Sequence, residues 1–78
     1  MNDDAAIAYA LAEVLEPAPG EHVAFSDVFA AVRSHLLNTY GLSAPMGEVK
    51  AVVRRTGVRL GNGGESRRQH VHDVRLAP

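Results

Sequence analysis

Apolar residues recur at helical spacing three times before residue 57, and beyond it the period shortens to that of strands. The first stripe is Ile7, Leu11, Val14 and Leu15, with Ala8 beside it. Asp3 or Asp4 is placed to N-cap this helix, and the acidic pair suits the positive end of its dipole. Alanines at 5, 6, 8, 10 and 12 raise helical propensity and permit close packing. The Glu16-Pro17 step ends the helix, because the residue before a proline is pushed out of the α region. Pro17-Ala18-Pro19-Gly20 reads as a loop. Residues 21–25 alternate weakly, as a three-residue strand or an extended connector would.

Ser26 is a good N-cap for a second helix reaching Tyr40, with Phe29, Val32, Leu36 and Tyr40 as its stripe and Val28 and Leu37 at the flanks. Gly41 suits the left-handed position just past its end. Ser43 or Ala44 caps a third helix, and Pro45 sits in the first turn, where its missing N–H costs nothing. Met46, Val49, Val52 and Val53 form its buried stripe, and Gly57 closes it. Two helices joined by a tight glycine-containing turn read as helix-turn-helix. Val58-Arg59-Leu60 then alternates as a strand, Gly61-Asn62-Gly63-Gly64 is a turn signal, and residues 69–76 are extended in character. The second arm alternates imperfectly: Val74 and Leu76 share a face with His70 and His72 while Val71 lies opposite, which predicts a bulge or a twisted, half-exposed ribbon. The expected α+β architecture is one domain over residues 1–78, with helices at about 4–16, 26–40 and 44–56 and a hairpin at about 58–76.

The order helix, extended segment, helix, tight turn (Tyr40-Gly41-Leu42-Ser43), helix, hairpin resembles the winged helix-turn-helix fold over residues 4–76. The ending, Gly61-Asn62-Gly63-Gly64 followed by Arg67-Arg68-Gln69 and Val74-Arg75-Leu76, is loosely similar to winged-helix modules at the C-termini of viral and phage primase-helicases. The resemblance implies a third helix, about Ser43–Thr56, in the major groove of double-stranded DNA, with the hairpin as a wing against the backbone or the minor groove.

Charge sharpens this expectation. Residues 1–40 carry six acids against Arg33, a net of −5, whereas residues 41–78 carry seven bases against three acids, a net of +4. The overall charge of −1 hides the division. A basic half built from a helix and a hairpin is the electrostatic footprint of a nucleic-acid-binding face. With Met46, Val49 and Val53 inward, the third helix exposes Gly47, Lys50, Ala51 and Arg54, with Glu48 and Arg55 at its flanks. Arginine is suited to guanine O6/N7 through two parallel hydrogen bonds, and Lys50 to a base or a phosphate. The competing reading is a solvated face whose basic residues complement the helix C-terminus. Arg59, Arg67 and Arg68 border the glycine-rich tip, where a flexible chain would let guanidiniums find phosphates. Otherwise they keep a strand edge soluble. The candidate DNA-binding set is therefore Lys50, Arg54, Arg55, Arg59, Arg67 and Arg68.

Other chemistries find less support. At 78 residues the chain holds one modest core, and without cysteine it has neither disulfides nor thiolate metal sites. His70-Val71-His72 puts two imidazoles on one strand face. A metal needs a third ligand, which Asp73, His22 or His35 would have to bring from elsewhere, and Asp73 points to the other face. No metal and no cofactor are expected; the imidazoles are expected to bond the strand near Val23 or to touch phosphate. The glycine-rich tip lacks the Lys-Ser/Thr and the following helix of a nucleotide-binding loop. No nucleophile motif appears, so no enzyme is expected. The acidic N-terminus is unlike a secretory signal and no apolar run reaches about 18 residues, so a cytoplasmic protein without membrane contact is expected.

These features lead to a small DNA-binding protein, a transcriptional regulator or a replication or recombination accessory of a phage or other mobile element. A lone module buries only about 600–1,000 Å² on DNA, which calls for a homodimer, tandem sites or a larger protein partner, with alanine-rich helix 1 as the docking surface. The alternative is a winged-helix protein–protein interaction module that does not bind DNA.

Overall fold

Three helical stripes and one strand converge on a shared core. The computed structural model describes residues 3–62 and 69–78. Its elements run α1 (Asp3–Val14), β1 (Leu15–Ala24), α2 (Phe25–Tyr40), α3 (Met46–Arg55), β2 (Leu60–Asn62) and β3 (Gln69–Leu76). The three strands form an antiparallel sheet in the order β1-β3-β2. The protein is therefore α+β, with three helices and a three-stranded antiparallel sheet, a layout compatible with a winged helix.

Helix α1 buries Ala6, Ile7, Ala10 and Leu11, so two of its four core positions are alanines and its backbone can lie close to its neighbours. Helix α2 buries Phe25, Val28, Val32 and Leu36. Its inward stripe thus starts one turn earlier than the pattern around Phe29 and Tyr40 suggests; those two are only partly buried, and Leu37 is exposed. Ser26 is not the cap: Ala24 holds that position without a side-chain bond, because Phe25 is drawn into the core and the helix starts directly from β1. At the other end Gly41 takes the left-handed conformation (φ 66°) as expected. Its N–H donates to Leu37 O and that of Leu42 to Leu36 O, which satisfies carbonyls a helix end leaves open. Helix α3 buries Val49, Val52 and Val53, but Met46, its first residue, is exposed. Ala44, just before the helix, is buried in the core.

The largest departure from the sequence pattern is β1. Helix α1 stops at Val14 because Leu15, Glu16 and Pro17 pair with Leu76, Arg75 and Val74 of β3. The register then shifts, and pairing resumes at His22↔His72. The stretch read as a loop is an arch inside a ten-residue strand. Ala18 within it is buried, and Gly20 (φ 85°) donates its N–H to Asp73 Oδ1 at 3.0 Å. Asp73 itself has φ 62° and is the single β3 residue between the two paired stretches. This is the irregularity that the imperfect alternation of the second arm predicts. It shifts the phase so that Val71 and Val74 both reach the core side.

Asp73 therefore has two tasks, tolerating the left-handed backbone and accepting the Gly20 bond. Asp73→Ala is expected to lower unfolding free energy by about 1 kcal/mol in urea denaturation, and Asp73→Asn by clearly less, since asparagine keeps both properties. Equal losses in the two variants would assign the effect to the charge instead.

The described part of the hairpin is shorter than expected. Val58 and Arg59 precede β2, although Arg59 O still accepts the N–H of His72 at 3.0 Å. Most of the expected tip, with Arg67 and Arg68, lies at 63–68, outside the described residues. No helix among the described residues is long and apolar enough to cross a membrane.

Candidate nucleic-acid interface

Helix α3 follows the αL turn at Gly41 and is capped by Pro45, whose carbonyl accepts the N–H groups of Glu48 and Val49. With three valines anchoring one side, the opposite side presents Gly47, Lys50 and Arg54, at successive turns of the helix. Gly47 and Arg54 are exposed and Lys50 is half-buried. The half-burial has a specific cause. The Lys50 Nζ stands 5.3 Å from the centre of the Phe25 ring, a cation–π contact that ties the side chain to the start of α2.

Lys50 lies in a groove of about 450 Å³ lined by Phe25 and Ser26 of α2, Met46 and Lys50 of α3, and Gln69 of β3. Three elements thus meet where the hairpin arm joins the helical body. Gln69 Oε1 is buried with no hydrogen-bond partner among the described residues, the kind of orphaned acceptor that calls for an explanation. In sequence it directly follows Arg67 and Arg68. Phe25, Ser26, Met46 and Gln69 were not among the expected site residues. Phe25 reads as the end of a connector and Met46 as core, and only the meeting of α2, α3 and β3 makes them neighbours.

The six expected residues divide into three groups. Lys50, Arg54 and Arg59 form no ion pair among the described residues, and both arginines are exposed. Arg55 is turned the other way: its Nη1 lies 2.5 Å from Asp4 Oδ2 at the start of α1. That contact links α3 to α1 and gives Arg55 an acidic partner that Lys50 and Arg54 do not have among the described residues. Arg67 and Arg68 lie outside the described residues. A similar neutralisation occurs at the cross-strand pair Glu16↔Arg75, where the Arg75 guanidinium bonds the Glu16 carboxylate. That hydrogen bond, reinforced by the carboxylate charge, raises the Arg75 pKa above its ordinary value. Both ion pairs join an acid of the first half to an arginine of the second. Part of the charge division along the chain is therefore cancelled inside the fold, and the remainder includes Lys50, Arg54 and Arg59.

On the sheet, the His22 ring packs against those of His70 and His72, with centroids 4.8 and 5.6 Å away. These are contacts between rings, made with the residue just before Val23.

No protein-family model, no curated protein and no solved structure matches this chain.

Proposed function

We propose that this chain is a small winged-helix DNA-binding protein that lays α3 in the major groove of double-stranded DNA and sets the β2–β3 hairpin on the backbone or minor groove. The observation that carries the reading is the solvent face of α3. There Lys50 and Arg54 stand one turn apart without acidic partners among the described residues, while Arg55 and Arg75 are paired away. In this reading Arg54 addresses a guanine edge or a phosphate, Lys50 a phosphate beside the groove, and Arg59 with Arg67 and Arg68 the adjoining backbone. Gly47 leaves the helix free to approach base edges. The element order and the β1-β3-β2 sheet support the winged-helix assignment. The likeness of the hairpin sequence to primase-helicase modules supports a role as a regulator or replication accessory of a phage or other mobile element.

A second reading, a protein-interaction module, is favoured by an apolar cleft of about 250 Å³ between α1, the start of β1 and the α3–β2 connection, lined by Ala8, Leu11, Ala12, Leu15, Val58 and Val74 among others. Fluorescence anisotropy against a random-sequence duplex at several salt concentrations separates the two. DNA binding is expected in the non-specific range, with Kd of about 10⁻⁴–10⁻⁶ M near physiological salt, tightening steeply as salt falls. No binding at about 50 mM salt, where phosphate contacts are strong, would overturn the DNA reading in favour of the protein partner.

A further inference from the structure

We propose that Gln69, at the root of the hairpin, is a specificity-determining residue of the DNA-binding face and reads an adenine in the major groove beside the bases that α3 addresses. The inference rests on the DNA reading above and adds to it one residue and one base. It starts from an amide whose acceptor is unmet: Gln69 Oε1 is buried and has no hydrogen-bond partner among the described residues.

Strand register explains how a polar side chain comes to lie there. Gln69 is the first residue of β3 and pairs with Asn62 of β2. Side chains alternate along a strand, so Gln69 shares a face with Val71, two residues further on. Val71 is fully buried and belongs to the core. At the outer end of that face Gln69 meets the start of α2 and the first turn of α3, where it lines the groove with Phe25, Ser26, Met46 and Lys50. No carboxylate stands in that lining among the described residues. Ser26 and Met46 are exposed and Gln69 is half-buried, so the groove is open to a ligand from solvent.

A buried acceptor left without a donor costs free energy, whereas an apolar side chain of similar length would fill the position with no polar group to satisfy. The amide therefore burdens the free protein, and a ligand that supplies the missing donor would relieve it. An amide carries an acceptor and a donor side by side, and a half-turn about its last torsion exchanges them. Adenine matches this pair in the major groove: its N6 amine donates, its N7 accepts, and glutamine bonds both. Guanine presents two acceptors at the same edge, and cytosine only a donor. The surroundings suit such a contact. Recognition helices bring their N-terminal residues to base edges, and Gln69 flanks that end of α3. Gly47 in the same turn has nothing within 4 Å of where a Cβ would stand, which leaves room for close approach. Met46 offers an apolar surface to the methyl group of the paired thymine, and Lys50, held 5.3 Å from the Phe25 ring centre, a charge to a neighbouring phosphate.

The test selects preferred duplexes from a randomised library with the full chain, then compares wild type, Gln69→Met and Gln69→Glu by anisotropy on duplexes that differ at one base pair. Wild type is expected to favour adenine at one position by roughly 5- to 150-fold. Gln69→Met, checked for folding by circular dichroism, is expected to lose that preference while keeping random-sequence affinity within about twofold and the salt slope unchanged. Gln69→Glu keeps the size and polarity of the side chain and stays informative where methionine disturbs the packing. It is expected to move the preference toward cytosine, whose N4 amine a carboxylate accepts. A wild-type preference retained at every position in both variants would overturn the proposal and leave the DNA reading standing. So would an equal loss of random-sequence and preferred-site affinity in folded Gln69→Met, which would assign Gln69 a structural role. Absence of wild-type binding to any duplex at about 50 mM salt would overturn the DNA reading and this inference together.

Discussion

Leu36→Ala is expected to cost about 2–5 kcal/mol, the range for removing a buried leucine side chain from a core that only partly collapses around the gap. Leu36 is 1% exposed, and its carbonyl accepts the Leu42 N–H that turns the chain from α2 toward α3. A chain of this length has a total stability of roughly 4–12 kcal/mol, so the substitution removes a large share of it. Leu37, its neighbour, is 60% exposed, and Leu37→Ala is expected to change stability by about 0.5 kcal/mol or less. Urea denaturation of both variants measures the contrast. Because α3 is placed by the core that Leu36 fills, any DNA affinity should fall with the folded fraction in Leu36→Ala and stay unchanged in Leu37→Ala. Comparable destabilisation by the two substitutions would mean that α2 turns a different face inward.

The same pair of leucines shows what was legible in the sequence. A stripe through Val32 and Leu36 at helical spacing is visible without any structure, as are the glycine stop at Gly41 and the valines of α3. These are local signals, because period and capping depend on residues a few positions apart. The identity of the fourth core residue of α2 is not local. Phe25 joins the helix because β1 delivers it there, and β1 is long because residues 15–17 find partners some sixty positions later. Two prolines and a glycine in residues 17–20 signal a break in the chain, and nothing nearby reveals that the strand resumes in the same sheet after it. The irregular alternation of β3 was the one readable trace of that arch, since a phase change on one strand implies an irregularity in its pairing.

The candidate site was legible in charge and less so in direction. Lys50 and Arg54 follow from the period of α3, since the valines that face inward set what faces out. Arg55 lies one helical step, about 100°, from Arg54. Whether a residue at that flank serves the proposed DNA face or another helix depends on what packs alongside, and here Asp4 of α1 lies within reach. The groove around Lys50 depends on the approach of β3 to the start of α2, a long-range event that composition does not encode. The histidines follow the same logic: two are close in sequence, and the third arrives only with the strand register.

Arg54 and Arg55 are chemically identical neighbours that are expected to behave differently on DNA. Removing one side chain that neutralises a phosphate is expected to reduce the slope of log K against log salt by about 0.9. Lys50→Ala combined with Arg54→Ala should therefore flatten it by about 2 if both side chains meet phosphates. If Arg54 instead reads a guanine edge, Arg54→Ala costs about 1–3 kcal/mol at the preferred sequence and changes random-sequence binding little. Arg55→Ala breaks an exposed ion pair with Asp4, worth about 1 kcal/mol or less, and is expected to leave both the salt slope and the sequence preference unchanged. Anisotropy titrations of the three variants at matched salt, each checked for folding by circular dichroism, decide the matter. A weakening in Arg55→Ala as large as in Arg54→Ala would mean that the basic half attracts DNA as a diffuse charge rather than through one oriented face of α3. Unchanged affinity in every variant, with wild-type binding intact, would move the interface away from α3 altogether. Selective weakening at Lys50 and Arg54 is the outcome that the geometry of α3 leads us to expect, because among the described residues these two have no acidic partner, whereas Arg55 has Asp4.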